Sequence, residues 1–326
     1  MERILVIKLG ALGDFIQALG PMQAIRRHHA GASVVLLTTA PFAPLGAQSG
    51  LCDDVWVDRR APFWNIPATL RQTRQLIAGR FDRVYDLQTS QRTTWYALLW
   101  RALNGGRLPE WSGIAPFCSH PHANPRRNSM HTIDRQAEQL RFAGIANAGL
   151  PDIAFLSADV ARFHLPARYA VLIPGAAGHR PEKRWPAASY SAIARHLVER
   201  GVTPVVLGVA SERDLGAAIT AACPAARNLV GQTVLAEVAA IVRGAAVAIG
   251  NDTGTMHVVA ASGCPAIVLF SGASDPALCA PRGRSVRVLR RDKLTDLTPN
   301  DVIAALPAGL AASLDRTAGL ASGGSP

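Results

Sequence analysis

Short apolar runs of four to seven residues recur along this chain, each broken by a turn and followed by a segment with helical spacing. In the first half the runs are 4–7, 33–38, 54–57 and 83–87, with helical patterns over 15–26 and 70–77. In the second half they are 169–173, 202–208, 245–249 and 266–270, alternating with helical segments over 188–200, 211–222, 235–243 and 256–262. Such alternation reads as parallel sheet covered by helices. The 326 residues leave room for two domains of this kind. Prolines and lost periodicity over 151–168 mark the junction. The expected division is a first domain over 1–155, a linker over 156–168, a second domain over 169–316 and a small, polar, disordered tail over 317–326.

Residues 104–130, rich in Gly, Pro, Asn, His and Arg, are expected to be loop, and 131–144 helix. Thr298 followed by Pro299 reads as an N-cap with proline at the first helical position. It opens a late helix over 298–314 that is placed to pack back on the first domain. The fold class is therefore α/β: two Rossmann-like domains whose parallel sheets face across a cleft. Ligands of such sheets bind beyond the carboxyl ends of the strands, so the cleft is the default site.

With 49% hydrophobic and 17% charged residues, the chain is a folded protein rather than a disordered one. No apolar run approaches the roughly 20 residues of a membrane span. The apolar stretch at the N-terminus is too short for a signal peptide, so the expected location is cytoplasmic. Five scattered cysteines without a C-x-x-C argue against a disulfide framework and a structural zinc site. Cys118, His120 and His122 have the right chemistry for a metal but no second cluster to complete it. No metal or cofactor is expected.

The net charge is +11, with three lysines (Lys8, Lys183, Lys293) among 34 basic residues. Such a surface suits an anionic partner: a phosphorylated glycolipid or a membrane face. The arginines are dispersed without an interleaved aromatic stripe, which argues against nucleic acid. With lysine so scarce, one beside a glycine-rich turn is informative.

Three strand-end turns carry the chemistry. Residues 250–257 (Gly, Asn, Asp, Thr, Gly, Thr, Met, His) join an apolar strand to a packed helix. Free backbone N–H groups and the positive end of the helix dipole make such a turn a ready anion site. Asp252 or Thr253 can cap the helix instead, and Gly254 lets a ligand approach. Lys8, Gly10, Gly13 and Asp14 follow the first strand. Asp14 reads either as a helix cap or as a general base. Lys183 follows the loop 174–178 and can neutralise a phosphate as a point charge. Glu212, after the run 202–208, reads as a first-turn helix acid or as an acceptor for ribose hydroxyls. No G-x-G-x-x-G and no G-x-x-x-x-G-K-[ST] is present, which speaks against NAD and P-loop chemistry.

Taken together, Lys8-x-Gly10-x-x-Gly13-Asp14, Lys183-Arg184-Trp185-Pro186 and Asp252-Thr253-Gly254-x-x-His257 resemble glycosyltransferase family 9, the ADP-heptose:lipopolysaccharide heptosyltransferases, over about residues 3–305. The resemblance implies a GT-B fold and an inverting, metal-independent transfer of heptose to a lipopolysaccharide core or related cell-envelope acceptor. It implies Asp14 as catalytic base, and Lys183, Glu212, Asp252, Thr253, Gly254 and His257 as donor-binding residues. Lys8 and Gly13 fall on the acceptor side. The stretch 178–181 (Gly, His, Arg, Pro) departs from the Thr or Ser common in the family there. A nucleotide-sugar epimerase of the same fold and a non-catalytic nucleotide-sugar-binding protein are the alternatives. Turnover of donor without acceptor marks the first; donor binding with no turnover marks the second.

Overall fold

The apolar runs form strands because both faces of each are covered: Ile4, Leu5, Val6 and Ile7 are all buried, as are all five residues of Tyr169–Ile173. The computed structural model describes residues 1–62 and 64–311, and they divide into two units. One contains Met1–Leu156 and Ala277–Cys279, the other Ser157–Pro276 and the described residues from Ala280 onward.

The first unit contains β1 (Arg3–Ile7), β2 (Ser33–Thr38), β3 (Asp54–Val57), β4 (Arg83–Asp86), β5 (Glu110–Gly113) and β6 (His120–Pro121). They form one sheet in the order β3-β2-β1-β4-β5-β6, with every pairing parallel. The second contains β7 (Tyr169–Ile173), β8 (Thr203–Val206), β9 (Arg227–Asn228), β10 (Ala248–Asn251), β11 (Ala266–Phe270) and β12 (Val286–Arg290). Its order is β12-β11-β10-β7-β8-β9, again parallel throughout. The two sheets are wound alike. In each, the chain fills one side of the starting strand and then reverses to fill the other. The reversal puts a topological switch point between β1 and β4, and a second between β7 and β10, where doubly wound sheets bind ligands. The fold class is α/β, as expected.

Several expectations change. Residues 104–130 are not a loop: β5 and β6 extend the sheet there, and a 3-10 turn covers Arg127–Ser129. Strands of four and two residues are too short to show a period in sequence; pairing to β4 and to one another holds them. The helix Gln91–Leu103 went unread; it is opened by a capping box between Ser90 and Thr93. β10 runs to Asn251, so the turn that follows begins at Asp252. The late helix is two short pieces, Pro299–Ala304 and Ala308–Ala311, interrupted by Pro307, which cannot continue a helix. Val302, Ala305, Leu306 and Leu310 lie in the second unit's core with Trp185 and Tyr190. The end of that expected helix, 312–314, and the tail 317–326 lie outside the described residues.

Candidate functional site

In the first unit, β1 ends into the helix Leu12–His28. Gly10 makes the turn at φ +114°, and a Cβ there would sit 2.2 Å from the Phe42 ring, so glycine is required twice over. Ala11 is the N-cap and makes no side-chain cap bond. Asp14 is the third helical residue rather than the cap. It is half-buried, and its carboxylate makes no hydrogen bond among the described residues. Gly13 is buried beside it. Lys8 is only 4% exposed and donates from Nζ to Leu87 O at 3.3 Å. Burial pulls the Lys8 ammonium below its usual range, partly offset by the charge of Asp14. On the helix Thr132–Phe142, burial pulls the Arg135 guanidinium down and the charge of Asp14 opposes that.

The second unit carries the larger constellation. Lys183 Nζ meets Asp252 Oδ2 at 2.6 Å, and Ser274 Oγ donates to the same oxygen at 2.5 Å. The pair is sheltered, with side-chain exposures of 17% and 8%. Asp252 is thus engaged away from the helix Gly254–Ala261, and Thr253, the N-cap residue, makes no side-chain cap bond. The first N–H groups of that helix are left without a side-chain acceptor, which is the condition for an anion site. His257 is buried on the same helix.

Asn251, wholly buried at the end of β10, ties three segments together. Its Nδ2 donates to Pro174 O (2.7 Å) and Gly175 O (3.3 Å), and its Oδ1 accepts from Trp185 N and Tyr190 OH, both at 3.1 Å. The loop after β7, the approach to Lys183 and the turn after β10 are therefore held in one frame. Glu212 accepts the Val209 N–H through Oε2 at 2.9 Å, so the first-turn acid reading is met. Its other oxygen overlies Gly175, where a Cβ would lie 1.9 Å from Oε1. Burial pushes the Glu212 carboxyl up, and the charge of Arg184 pulls against it.

Lys183, Asp252, Thr253 and Gly254 meet at the β7/β10 switch point, and Lys8, Gly13 and Asp14 at the β1/β4 switch point. Asn251 and Ser274 were missed as contributors. The one available signal for Asn251 was a polar residue closing an apolar strand; Ser274 offered none. Cys118, His120 and His122 do not converge. His120 faces Glu110 at 3.5 Å, His122 meets Glu138 at 2.7 Å, and burial pushes the Cys118 thiol up. Among the described residues no group of three or more His, Cys, Asp or Glu could hold a metal ion.

Residues 69–299 match the profile of glycosyltransferase family 9 (heptosyltransferase). The chain is 34% identical over 115 residues to lipopolysaccharide heptosyltransferase 2 of Escherichia coli strain K12, covering 34% of this chain and 33% of that protein. This match thus spans about a third of the curated relative's length. It is 27% identical over 297 residues to lipopolysaccharide heptosyltransferase 1 of Pseudomonas aeruginosa, covering 87% and 82%. The structure of E. coli ADP-heptose lps heptosyltransferase II superposes with a TM-score of 0.75 at 23% identity, over 95% of this chain and 98% of that one. That likeness is one of fold.

Proposed function

The chain belongs to glycosyltransferase family 9 (heptosyltransferase), and from that premise we propose that it transfers a heptose-type sugar from ADP-heptose to a lipopolysaccharide core or related cell-envelope acceptor, with inversion and without a metal. The observation that carries this reading is the cluster of Lys183, Asp252, Ser274 and an uncapped helix start at one switch point. It is suited to the pyrophosphate of a nucleotide sugar. The donor belongs to the second unit and the acceptor to the first.

The Lys183 ammonium is paired with Asp252 at 2.6 Å. An ammonium has three donors, so Lys183 can keep Asp252 and still meet a phosphate oxygen. With the N–H groups of the helix Gly254–Ala261 it offsets the charge that grows on departing ADP, the work a metal does elsewhere. The acceptor oxygen attacks the anomeric carbon opposite the pyrophosphate, the bond from that carbon to the β-phosphate oxygen breaks, and Asp14 takes the hydroxyl proton. Asp is a weak base, with a reference pKa of about 3.9. It suffices where proton transfer follows an oxocarbenium-like departure, as in glycosidases.

The net charge of +11 favours an anionic glycolipid acceptor over nucleic acid and suits peripheral contact with the cytoplasmic face of an inner membrane. Among the described residues no helix is long and apolar enough to cross one.

A thermal-shift panel of ADP-, UDP-, GDP- and CMP-sugars tests the donor. An ADP-sugar at about a hundred times its Kd stabilises by about 2.7 kcal/mol, and the others leave the transition in place. A shift with UDP-sugars alone overturns the assignment. Transfer in excess chelator proceeds at the untreated rate; abolition by chelator removes the metal-independent mechanism. Gly175→Ala tests Glu212 as the ribose acid. The new Cβ displaces Oε1, and donor Kd, measured by calorimetry, rises about tenfold, or about 1.4 kcal/mol. Unaltered affinity separates Glu212 from the donor.

A further inference from the structure

The segment that leaves β3 exposes what the rest of the chain buries. Trp100, Trp111 and Trp185 are at most 2% exposed, whereas Trp64 is 84% and Ile66 62% exposed. Pro62 and Pro67 flank them and are exposed too. Two prolines restrict the segment, which lowers the ordering cost of holding it against another surface. Asn65 caps the helix Ile66–Ala78 by accepting the Ala68 N–H at 3.2 Å, so Ile66 stands on a formed helical turn. That helix buries Thr73 and Leu76 on its inner face. Pro67, Arg71, Arg74 and Ala78, at helical spacing, make an exposed stripe on the outer one.

Charge on this edge has one sign. Residues 59–81 contain five arginines and no acidic residue. Asp58, just before them, is 3% exposed and already engaged: Oδ1 accepts the Arg60 N–H and Oδ2 the Tyr96 hydroxyl, both at 2.6 Å. Arg59, Arg60, Arg71 and Arg74 are exposed and make no ion pair among the described residues. An exposed tryptophan and isoleucine rimmed by unpaired guanidinium groups match the boundary of an anionic bilayer. The ring and the branched chain enter at headgroup depth, and the arginines meet phosphates. The position on the sheet matters as well. All its strands run parallel, so their carboxyl ends share one edge. At that edge β1 leads to Asp14 and β3 to Trp64, two strands away or about 10 Å across the sheet.

We propose that Trp64 and Ile66, with Arg59, Arg60, Arg71 and Arg74, dock the first unit on an anionic phospholipid surface, the carboxyl edge of its sheet towards the bilayer. Docking in this way brings the Asp14 end of β1 towards the headgroups, where a glycolipid presents its sugars. That consequence rests on the acceptor belonging to the first unit; the docking itself does not. Near an anionic surface each arginine contributes about fivefold to partition.

The test uses the full chain and sucrose-loaded vesicles of phosphatidylcholine, with or without phosphatidylglycerol, sedimented without donor or acceptor. The chain sediments with the anionic vesicles and stays in solution with the neutral ones. Salt at about 1 M, which shortens the Debye length to about 3 Å, releases it. Trp64→Ser lowers the partition coefficient about tenfold, the low end for burying a large apolar side chain. Arg71→Gln with Arg74→Gln lowers it about 25-fold. Arg27 and Arg141 are exposed in the last turns of the helices Leu12–His28 and Thr132–Phe142, at the amino edge of the same sheet. Exchanging both for Gln removes the same net charge and leaves partition within about twofold of wild type. Wild type that ignores anionic vesicles overturns the proposal, as do equal losses from the two double variants or a partition that Trp64→Ser leaves unchanged. So does a dimer in sedimentation velocity that Trp64→Ser dissolves, which gives this face to a second copy of the chain. The altered residues are exposed, so each variant keeps the wild-type denaturation midpoint; if Trp64→Ser shifts it, Ile66→Ser is read in its place. No transfer is measured, so failure of the proposed function cannot be mistaken for failure here.

Discussion

Asp14→Asn is expected to lower the turnover number by about 10²–10⁴-fold while the affinity for an ADP-sugar stays within about twofold of wild type. The substitution removes a proton acceptor and the charge that supports the buried Lys8 and Arg135 cations. Asn is isosteric, and the Asp14 carboxylate makes no hydrogen bond among the described residues, so no hydrogen-bond partner is orphaned by the change. What the fold loses is the attraction between a first-turn carboxylate and the helix dipole, about 0.3–1 kcal/mol, together with that carboxylate's attraction for Lys8 and Arg135. Stability and chemistry should therefore separate. Chemical denaturation reads the first, and single-turnover transfer with calorimetric donor titration reads the second. The proposed donor residues belong to the other unit, so donor affinity is an internal control. Turnover that survives intact removes Asp14 as the base. Equal losses in turnover and donor affinity give it a general role in organising the site.

Much of this fold is legible in the sequence for one reason. A strand buried on both faces must be apolar at every position, and such runs stand out even when short. β1, β2, β7 and β11 are of this kind. β5, β6 and β9 have four, two and two residues. Nothing in so few residues distinguishes strand from turn; they are strands because a neighbour is already there to pair with. β12, with alternating Val286, Arg287 and Val288, is an edge strand whose apolar residues are diluted by exposed arginine.

At the site, the residues that chain geometry dictates were visible. Gly10, Gly13, Asp14, Thr253 and Gly254 lie where a central strand turns into a helix, and turn chemistry there has few solutions. What the sequence could not show is pairing across distance. Lys183 and Asp252 are 69 residues apart, so no local pattern announces that they share a hydrogen bond. As separate motifs, one read as a free cation and the other as a helix cap. As a pair they neutralise each other, and the helix start is left open.

The largest stability effect is expected from Asn251→Ala, about 3–5 kcal/mol measured by denaturant unfolding. The side chain makes four hydrogen bonds, all buried in the second unit. Deleting it leaves the Trp185 N–H and the Pro174 carbonyl facing an alanine methyl, each such orphan costing about 1–3 kcal/mol. Tyr190 is less exposed to the loss, because its hydroxyl also reaches Ile173 O at 3.2 Å. Against a total stability of about 5–15 kcal/mol for a domain, the unit keeps its fold with little margin. Donor binding should fall with it, because Asn251 holds the 174–175 loop, Trp185 beside Lys183 and the strand leading to Asp252 in register. Asn251→Asp separates hydrogen bonding from simple volume. An ionised Asp can still accept from Trp185 N–H and Tyr190 OH but sets a bare oxygen against Pro174 O and Gly175 O. A protonated Asp can donate there as asparagine does. Burial and two facing carbonyls raise the folded-state pKa of such an Asp above its unfolded value of about 3.9. Its stability is then fully present below the unfolded pKa and is lost as pH rises through the folded one. Relative to wild type, Asn251→Asp should therefore be near-native in acid and strongly destabilised at pH 8. A deficit that is constant across pH, or an alanine variant within about 1 kcal/mol of wild type, would mean that these hydrogen bonds do not hold the donor loop.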